Sequence, residues 1–193
     1  MINRMQPQPP TPSTPAPWAL LDRAAAQEAD LAVRYACLNE LLAQDIATQD
    51  RAALALEVSA HWKVPTDCRD LARLLLNLPA LAGDHPTPDA DQVMQLLLAS
   101  DALRRPERFR QWLQARALVD NSAEAATSAA DLSHWLDVAL QVDAAGAASA
   151  AASRGLGGAE LGAAVLAARR EAIAQAMLTR HAAQTAPPAQ GAA

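Results

Sequence analysis

Five arginines are concentrated between residues 101 and 120 of this 193-residue chain, in the stretch DALRRPERFRQWLQARALVD. They are Arg104, Arg105, Arg108, Arg110 and Arg116. They surround Phe109 and Trp112 across a turn that Pro106 starts. Guanidinium groups bind phosphate oxygens in pairs, so the cluster predicts a surface that contacts the phosphates of structured RNA. The alternative is a solvated helix junction, in which arginine stems cover apolar surface.

The charge of the whole chain does not favour general attraction to phosphate, because its formal net charge is −5 and its pI is about 5.3. Five arginines face only three carboxylates between residues 101 and 120, whereas twelve Asp and Glu face six Lys and Arg between residues 18 and 100. Lys63 is the only lysine, which leaves almost all positive charge on guanidinium groups. A GC-rich genome would produce the same arginine bias.

Motifs that build catalytic sites are missing from the sequence, which contains no GxGxxG, GxxxxGK(S/T), GxSxG or CxxC pattern. The acidic pairs at residues 67 and 70 and at residues 89 and 91 fall at predicted helix starts, where the helix dipole favours them. Cys37 and Cys68 have no histidines at zinc-ligand spacing and are expected to be buried free thiols. We therefore expect no metal, no cofactor and no catalytic residue.

The elements that carry these residues are predicted to be helices throughout, which makes the fold class all-α. Apolar residues are mainly Ala and Leu, and their spacing is helical in every ordered segment. The proline-rich residues 1–17 and the C-terminal residues 184–193 are expected to be disordered. No apolar run is long enough to cross a membrane and no signal layout is present, so the expected location is the cytoplasm.

Several residues are predicted to mark helix ends. Thr66 is expected to be an N-cap after Val64-Pro65, and Pro88 is expected at the first position of a later helix. Ser128 and Asp131 resemble a capping pair. Pro79 and Gly83 are expected to stop the helix that begins near residue 67. A short, weak helix is expected within residues 144–158, followed by a closing helix over residues 160–180.

Several segments resemble one family in the same order and at similar spacing. They are DLAVRYACL (30–38), VPTDCRDLARLL (64–75), LLLASDALRRPERFRQWL (96–113), VDAAGAASA (142–150) and ARREAIAQAM (168–177). They resemble bacterial CCA-adding enzymes, the tRNA nucleotidyltransferases whose C-terminal half carries an HD-type phosphohydrolase domain. The resemblance covers residues 20–177. It implies a multi-helix bundle with a degenerate HD-like body at 18–120 and a helical tail at 121–183.

The sequence departs from this family at the positions that carry its chemistry. The α/β nucleotidyltransferase head of the family is expected to be absent. Where the resemblance places a His-Asp dyad the chain has Glu40 and Leu41, and later metal ligands fall near Pro79 and Gly83. An Asp-Arg-Gly-Arg element is replaced by ALVDNSAE (117–124). Leucine, proline and glycine cannot hold a metal ion, so we expect neither phosphohydrolysis nor CCA addition by this chain.

Two functional hypotheses follow from the residues and the resemblance together. The first is a free-standing, catalytically inactive relative of the C-terminal half of a CCA-adding enzyme that binds tRNA through the arginine cluster. The second is a helical interaction or scaffold protein, or a gene remnant that kept the fold. The expected partner is therefore tRNA or another protein.

Overall fold

A computed structural model describes residues 18–78 and 88–185, and within these residues it contains nine α-helices and no strand. They are α1 (Ala19–Ala26), α2 (Leu31–Leu42), α3 (Thr48–His61), α4 (Thr66–Asn77), α5 (Ala90–Ala99), α6 (Pro106–Asp120), α7 (Ala123–Gln141), α8 (Ala144–Ser153) and α9 (Ala159–Thr185). The all-α prediction is confirmed. The predicted disordered segments lie outside the described residues, except that positions 184 and 185 belong to α9.

Prolines set two of the helix boundaries as the sequence predicts. Pro106 is the first residue of α6, where its missing N–H has no intrahelical partner to lose. Helix α4 ends at Asn77, and Leu78 is extended (φ −92°, ψ 115°), as expected for the residue before a proline. Pro79 and Gly83, the predicted stop signals, lie outside the described residues.

Three predictions about where helices begin are wrong. Thr66 is the first helical residue of α4 and caps nothing; its hydroxyl accepts a hydrogen bond from Arg69. Pro88 precedes α5 rather than opening it, since Asp89 is the N-cap and forms a capping box with Gln92.

The third error concerns α7. Ser128 and Asp131 lie inside this helix, which begins at Ala123 after the N-cap Ser122. The side chain of Ser122 accepts a hydrogen bond from the backbone N–H of Ala125 at 3.0 Å. Ser122 rather than Ser128 is the N-cap, because the alanine-rich turn between them is itself a good helix former.

Three helices end in a Schellman motif whose left-handed residue is not glycine. The left-handed positions are Glu28 after α1, Lys63 after α3 and Asp101 after α5, with φ of 51°, 51° and 57°. After α5 the backbone N–H of Ala102 donates to Leu97 O at 2.8 Å, and that of Asp101 donates to Leu98 O at 3.0 Å. These closures let the chain reverse in a few residues without glycine.

One apolar core joins the N-terminal helices to the C-terminal ones. Helix α2 packs most extensively against α4 and also contacts α1 and α6. Phe109 and Trp112 of α6 are buried and stacked, with ring centroids 5.4 Å apart. Ile173 of α9 is buried in the same core. None of the described helices is long and apolar enough to cross a membrane.

Candidate nucleic-acid interface

A cleft of about 610 Å³ lies between α4 and the turn that connects α5 to α6. Four arginines and two aspartates line it, together with Asn77 and a small apolar floor. The charged residues are Asp70, Arg73, Asp101, Arg104, Arg105 and Arg108. Among the described residues that line it, the cleft therefore has two more guanidinium groups than carboxylates, on a chain whose overall charge is −5.

The wall formed by α4 follows from helical spacing. Asp70, Arg73 and Asn77 are three and four residues apart, which places them on one face of the helix. The opposite face buries Leu71 and Leu75 in the core. Packing of α4 against α2 and α6 therefore fixes the direction in which this polar wall points.

The other wall depends on the left-handed Asp101. This residue turns the chain after α5, and its carbonyl accepts hydrogen bonds from the backbone N–H groups of Arg104 and Arg105 (3.2 and 2.9 Å). Arg108, on the first turn of α6, donates from Nη2 to the carbonyl of Ser100 at 2.7 Å. Arg108 thus satisfies a carbonyl at the end of α5 and fixes the turn between the two helices.

Ion pairs inside the cleft hold the arginines in place. Arg104 donates through Nε and Nη2 to the Asp101 carboxylate, with a shortest distance of 2.8 Å. Arg105 bridges Asp70 (3.2 Å) and Asp101 (3.7 Å). Arg108 lies within 4.0 Å of Asp70 and 3.7 Å of Asp101.

The pKa values follow this arrangement. The hydrogen bonds from Arg104 lower the pKa of the Asp101 carboxyl, with smaller contributions from the charges of Arg108 and Arg105. Burial, together with the neighbouring positive charge of Arg105, lowers the pKa of Arg108. Arg104 itself has a raised pKa because of its bonds to Asp101. Asp101 is therefore held ionised between the arginines.

Several donors in the cleft are still available to a ligand. Arg73 is exposed and makes no hydrogen bond or ion pair within the part of the chain that the structure describes. Arg104 is 73% exposed and Arg105 is 46% exposed. Within residues 18–78 and 88–185, no partner binds Arg104 Nη1 or Arg105 Nη2. Each guanidinium presents five N–H donors, so the three together can contact more than one phosphate oxygen.

The five arginines predicted from the sequence do not share one surface. Arg104, Arg105 and Arg108 line the cleft, whereas Arg110 bonds to Glu107 and to Asp137 of α7. Arg116 is half-buried further along α6 and does not line the cleft. Arg73 was missed, because it is 31 residues from Arg104 and only the packing of α4 brings it there. Its place in VPTDCRDLARLL, beside Asp70, was the available signal.

At the positions where the family's dyad is expected, the structure places an ion pair. Glu40 is 8% exposed, and its Oε1 accepts a hydrogen bond from Arg51 Nη2 at 3.0 Å. Arg51 Nε also donates to the carbonyl of Ala43 at 3.0 Å. Leu41 offers no ligand atom, and Pro79 and Gly83 lie outside the described residues. Among residues 18–78 and 88–185, no three His, Cys, Asp or Glu side chains come together as a metal site would require.

Comparison with known proteins supports the expected resemblance. The chain is 36% identical over 171 residues to the multifunctional CCA protein of Leptothrix cholodnii, an alignment that covers 80% of this chain and 41% of that protein. It is 32% identical over 172 residues to the protein of the same name from Verminephrobacter eiseniae (81% and 42%). The CCA-adding enzyme of Bordetella pertussis is 42% identical over 118 residues (61% and 27%).

The chain thus spans less than half the length of these relatives. No family model matches the sequence, and no solved structure matches it. Identity above 30% over four fifths of this chain nevertheless establishes common descent for the aligned region. The resemblance is confirmed: over part of their length, this chain is a relative of the multifunctional CCA proteins and CCA-adding enzymes.

Proposed function

We propose that this chain is a catalytically inactive relative of the helical part of CCA-adding enzymes and that it binds tRNA phosphates in the arginine cleft. The observation that carries the proposal is the meeting of Arg73, Arg104 and Arg105 around one opening. Arg73 has no described partner, and Arg104 and Arg105 keep unused donors beside their ion pairs. The resemblance to enzymes that handle tRNA supports tRNA as the nucleic acid.

The internal ion pairs favour recognition of phosphate over recognition of bases. Asp70 and Asp101 hold the guanidinium planes in fixed directions, which lowers the entropy lost when a phosphate binds. The aromatic residues nearest in sequence, Phe109 and Trp112, are buried and cannot stack on an exposed base. Binding should therefore follow the shape and backbone of folded RNA rather than its sequence.

Loss of phosphohydrolase chemistry is the second half of the proposal. The carboxylate of Glu40 is occupied by Arg51, whose positive charge takes the role that a cation would have beside it. We expect purified chain, made without an affinity tag, to contain no stoichiometric nickel, manganese or zinc. Elemental analysis checks this, and one equivalent of any of these metals would show that Glu40, Leu41, Pro79 and Gly83 are wrongly assigned to the family's ligand positions.

The binding half is tested with three proteins at one salt concentration. Wild type should bind tRNA, and Arg73→Ala/Arg104→Ala should bind at least about tenfold more weakly, since two charge-assisted hydrogen-bonding groups are lost. Arg116→Ala/Arg154→Ala removes the same two charges outside the cleft and should bind like wild type.

Equal loss of affinity in the cleft variant and in Arg116→Ala/Arg154→Ala would mean that only net charge matters, and it would contradict a defined binding cleft. Absence of binding by wild type would overturn the tRNA proposal and favour the helical interaction protein.

A further inference from the structure

An apolar groove of about 420 Å³ lies on a different surface, between α2, the end of α3 and the start of α4. Helix α2 supplies Leu31, Tyr35, Leu38 and Leu42, which are spaced at three or four residues and form one stripe. Trp62 and Pro65 close the other side. Lys63 is the only charged residue among the described residues that line the groove.

Large apolar side chains in this groove are exposed to solvent instead of being buried in the core. Trp62 is 74% exposed, Leu31 70% and Leu42 45%. Scattered apolar residues are ordinary on a surface, but a contiguous apolar patch with a concave shape indicates an interaction site. The groove therefore has the character of a surface that something covers.

The local backbone conformation positions the aromatic side of the groove. Trp62 is the C-cap of α3, and its backbone N–H donates to Val58 O at 3.2 Å. The left-handed Lys63 then turns the chain away, and the His61 ring lies edge-on to the indole with centroids 6.1 Å apart. The indole N–H makes no hydrogen bond to any residue that the structure describes. Trp62 therefore presents an apolar face and a free donor together.

We propose that residues 7–12 of this same chain occupy the groove as a polyproline II segment. They read PQPPTP and contain two overlapping PxxP motifs. Polyproline II segments dock in aromatic-lined grooves, where prolines pack on the rings and their free carbonyls accept hydrogen bonds from the groove. Trp62, Tyr35 and Pro65 supply such a lining, and the Trp62 N–H supplies the donor.

The proline-rich leader (residues 1–17) is long enough for this contact. It joins the described structure at Trp18, directly before α1, and α1 packs against α2. Residues 13–17 separate the docked segment from Trp18, and six extended residue steps span about 20 Å. Packed helices lie about 8–10 Å apart, so residue 12 can reach the α2 side of the groove. A tethered segment also has an effective concentration in the millimolar range, which favours it over free partners.

Lys63 makes a direct test available because it is the only lysine in the chain and lines the groove. The full chain is labelled with an amine-reactive diazirine, irradiated at low concentration, digested and mapped by mass spectrometry. A Lys63→Arg variant gives the background from the α-amino group. Cross-links from Lys63 should fall within residues 7–12. A variant Pro9→Gly/Pro10→Gly/Pro12→Gly should give a severalfold lower yield with unchanged helical circular dichroism.

Mixing normal and ¹⁵N-labelled chains identifies the occupant. Cross-links within single chains support the proposal, whereas mixed-isotope cross-links would place the leader of a second copy in the groove and overturn it. Cross-links to other segments, no cross-link at all, or equal yield from the glycine variant would also overturn it. Because neither tRNA nor the arginine cleft enters the experiment, its outcome is independent of the proposed tRNA binding.

Discussion

At the scale of individual residues, the ion pair between Glu40 and Arg51 is expected to contribute to the stability of the fold. Glu40 is nearly buried and its Oε2 has no partner, so Arg51 is the only cation beside the carboxylate among the described residues. Arg51→Met should lower the free energy of unfolding by about 2 to 3 kcal/mol, less than for a fully buried pair because a fifth of the Arg51 side chain is exposed. Urea denaturation measures the loss.

The double variant Glu40→Gln/Arg51→Met serves as the control for this pair. It removes the uncompensated charge and should recover part of the stability that Arg51→Met loses. A single variant as stable as wild type, or a double variant less stable than the single one, would contradict the assigned role of Arg51.

Cys37 predicts a pH dependence of stability. Burial raises the pKa of this thiol from the usual 9.0 to about 11, with a smaller raising contribution from Glu40 and a lowering one from Arg23. The native thiol stays protonated where the unfolded one ionises, so its contribution to stability is full below pH 9 and is lost as pH rises toward 11. Wild type should lose stability more steeply than Cys37→Ala across this window. Parallel curves in denaturant titrations would contradict the assignment.

At the level of the elements, α7 gives different roles to two serines, either of which could be an N-cap from the sequence alone. Ser122 accepts a hydrogen bond from Ala125, whereas Ser128 lies within the helix. Ser122→Ala should lower the free energy of unfolding by about 1 kcal/mol. Ser128→Ala should be neutral or slightly stabilising, because alanine is the better helix former. If thermal denaturation showed a larger loss of stability for Ser128→Ala than for Ser122→Ala, Ser128 would be the N-cap, as the sequence predicted.

The helices were predictable to the extent that strong local signals mark them. Pro106 opens α6 as predicted, since proline geometry acts within a few residues. The segments rich in Ala and Leu form helices as predicted, because apolar spacing is also a local signal. The left-handed ends at Lys63 and Asp101 were not predictable, because glycine is the usual sequence signal and neither position has it. Asp101 nevertheless shapes the cleft.

In the whole molecule, the cleft combines residues that are distant in the sequence. Charge alone indicated Arg104, Arg105 and Arg108, but Arg73 reaches them only through the packing of α4 on α6. The packing of α6 against α7 places Arg110 beside Asp137, with which it forms an ion pair. Pattern analysis finds a basic segment, whereas the tertiary fold decides which of its members face one ligand.

The central claim is that Arg73 and Arg104 contact tRNA phosphates, and its most direct test is the salt dependence of binding. Affinity for tRNA is measured over a series of salt concentrations for wild type and for Arg73→Ala/Arg104→Ala. Each lost phosphate contact removes about 0.7 to 0.9 from the slope of log affinity against log salt, so the double variant should have a slope shallower by about 1.4 to 1.8. An unchanged slope in the double variant would contradict the claim.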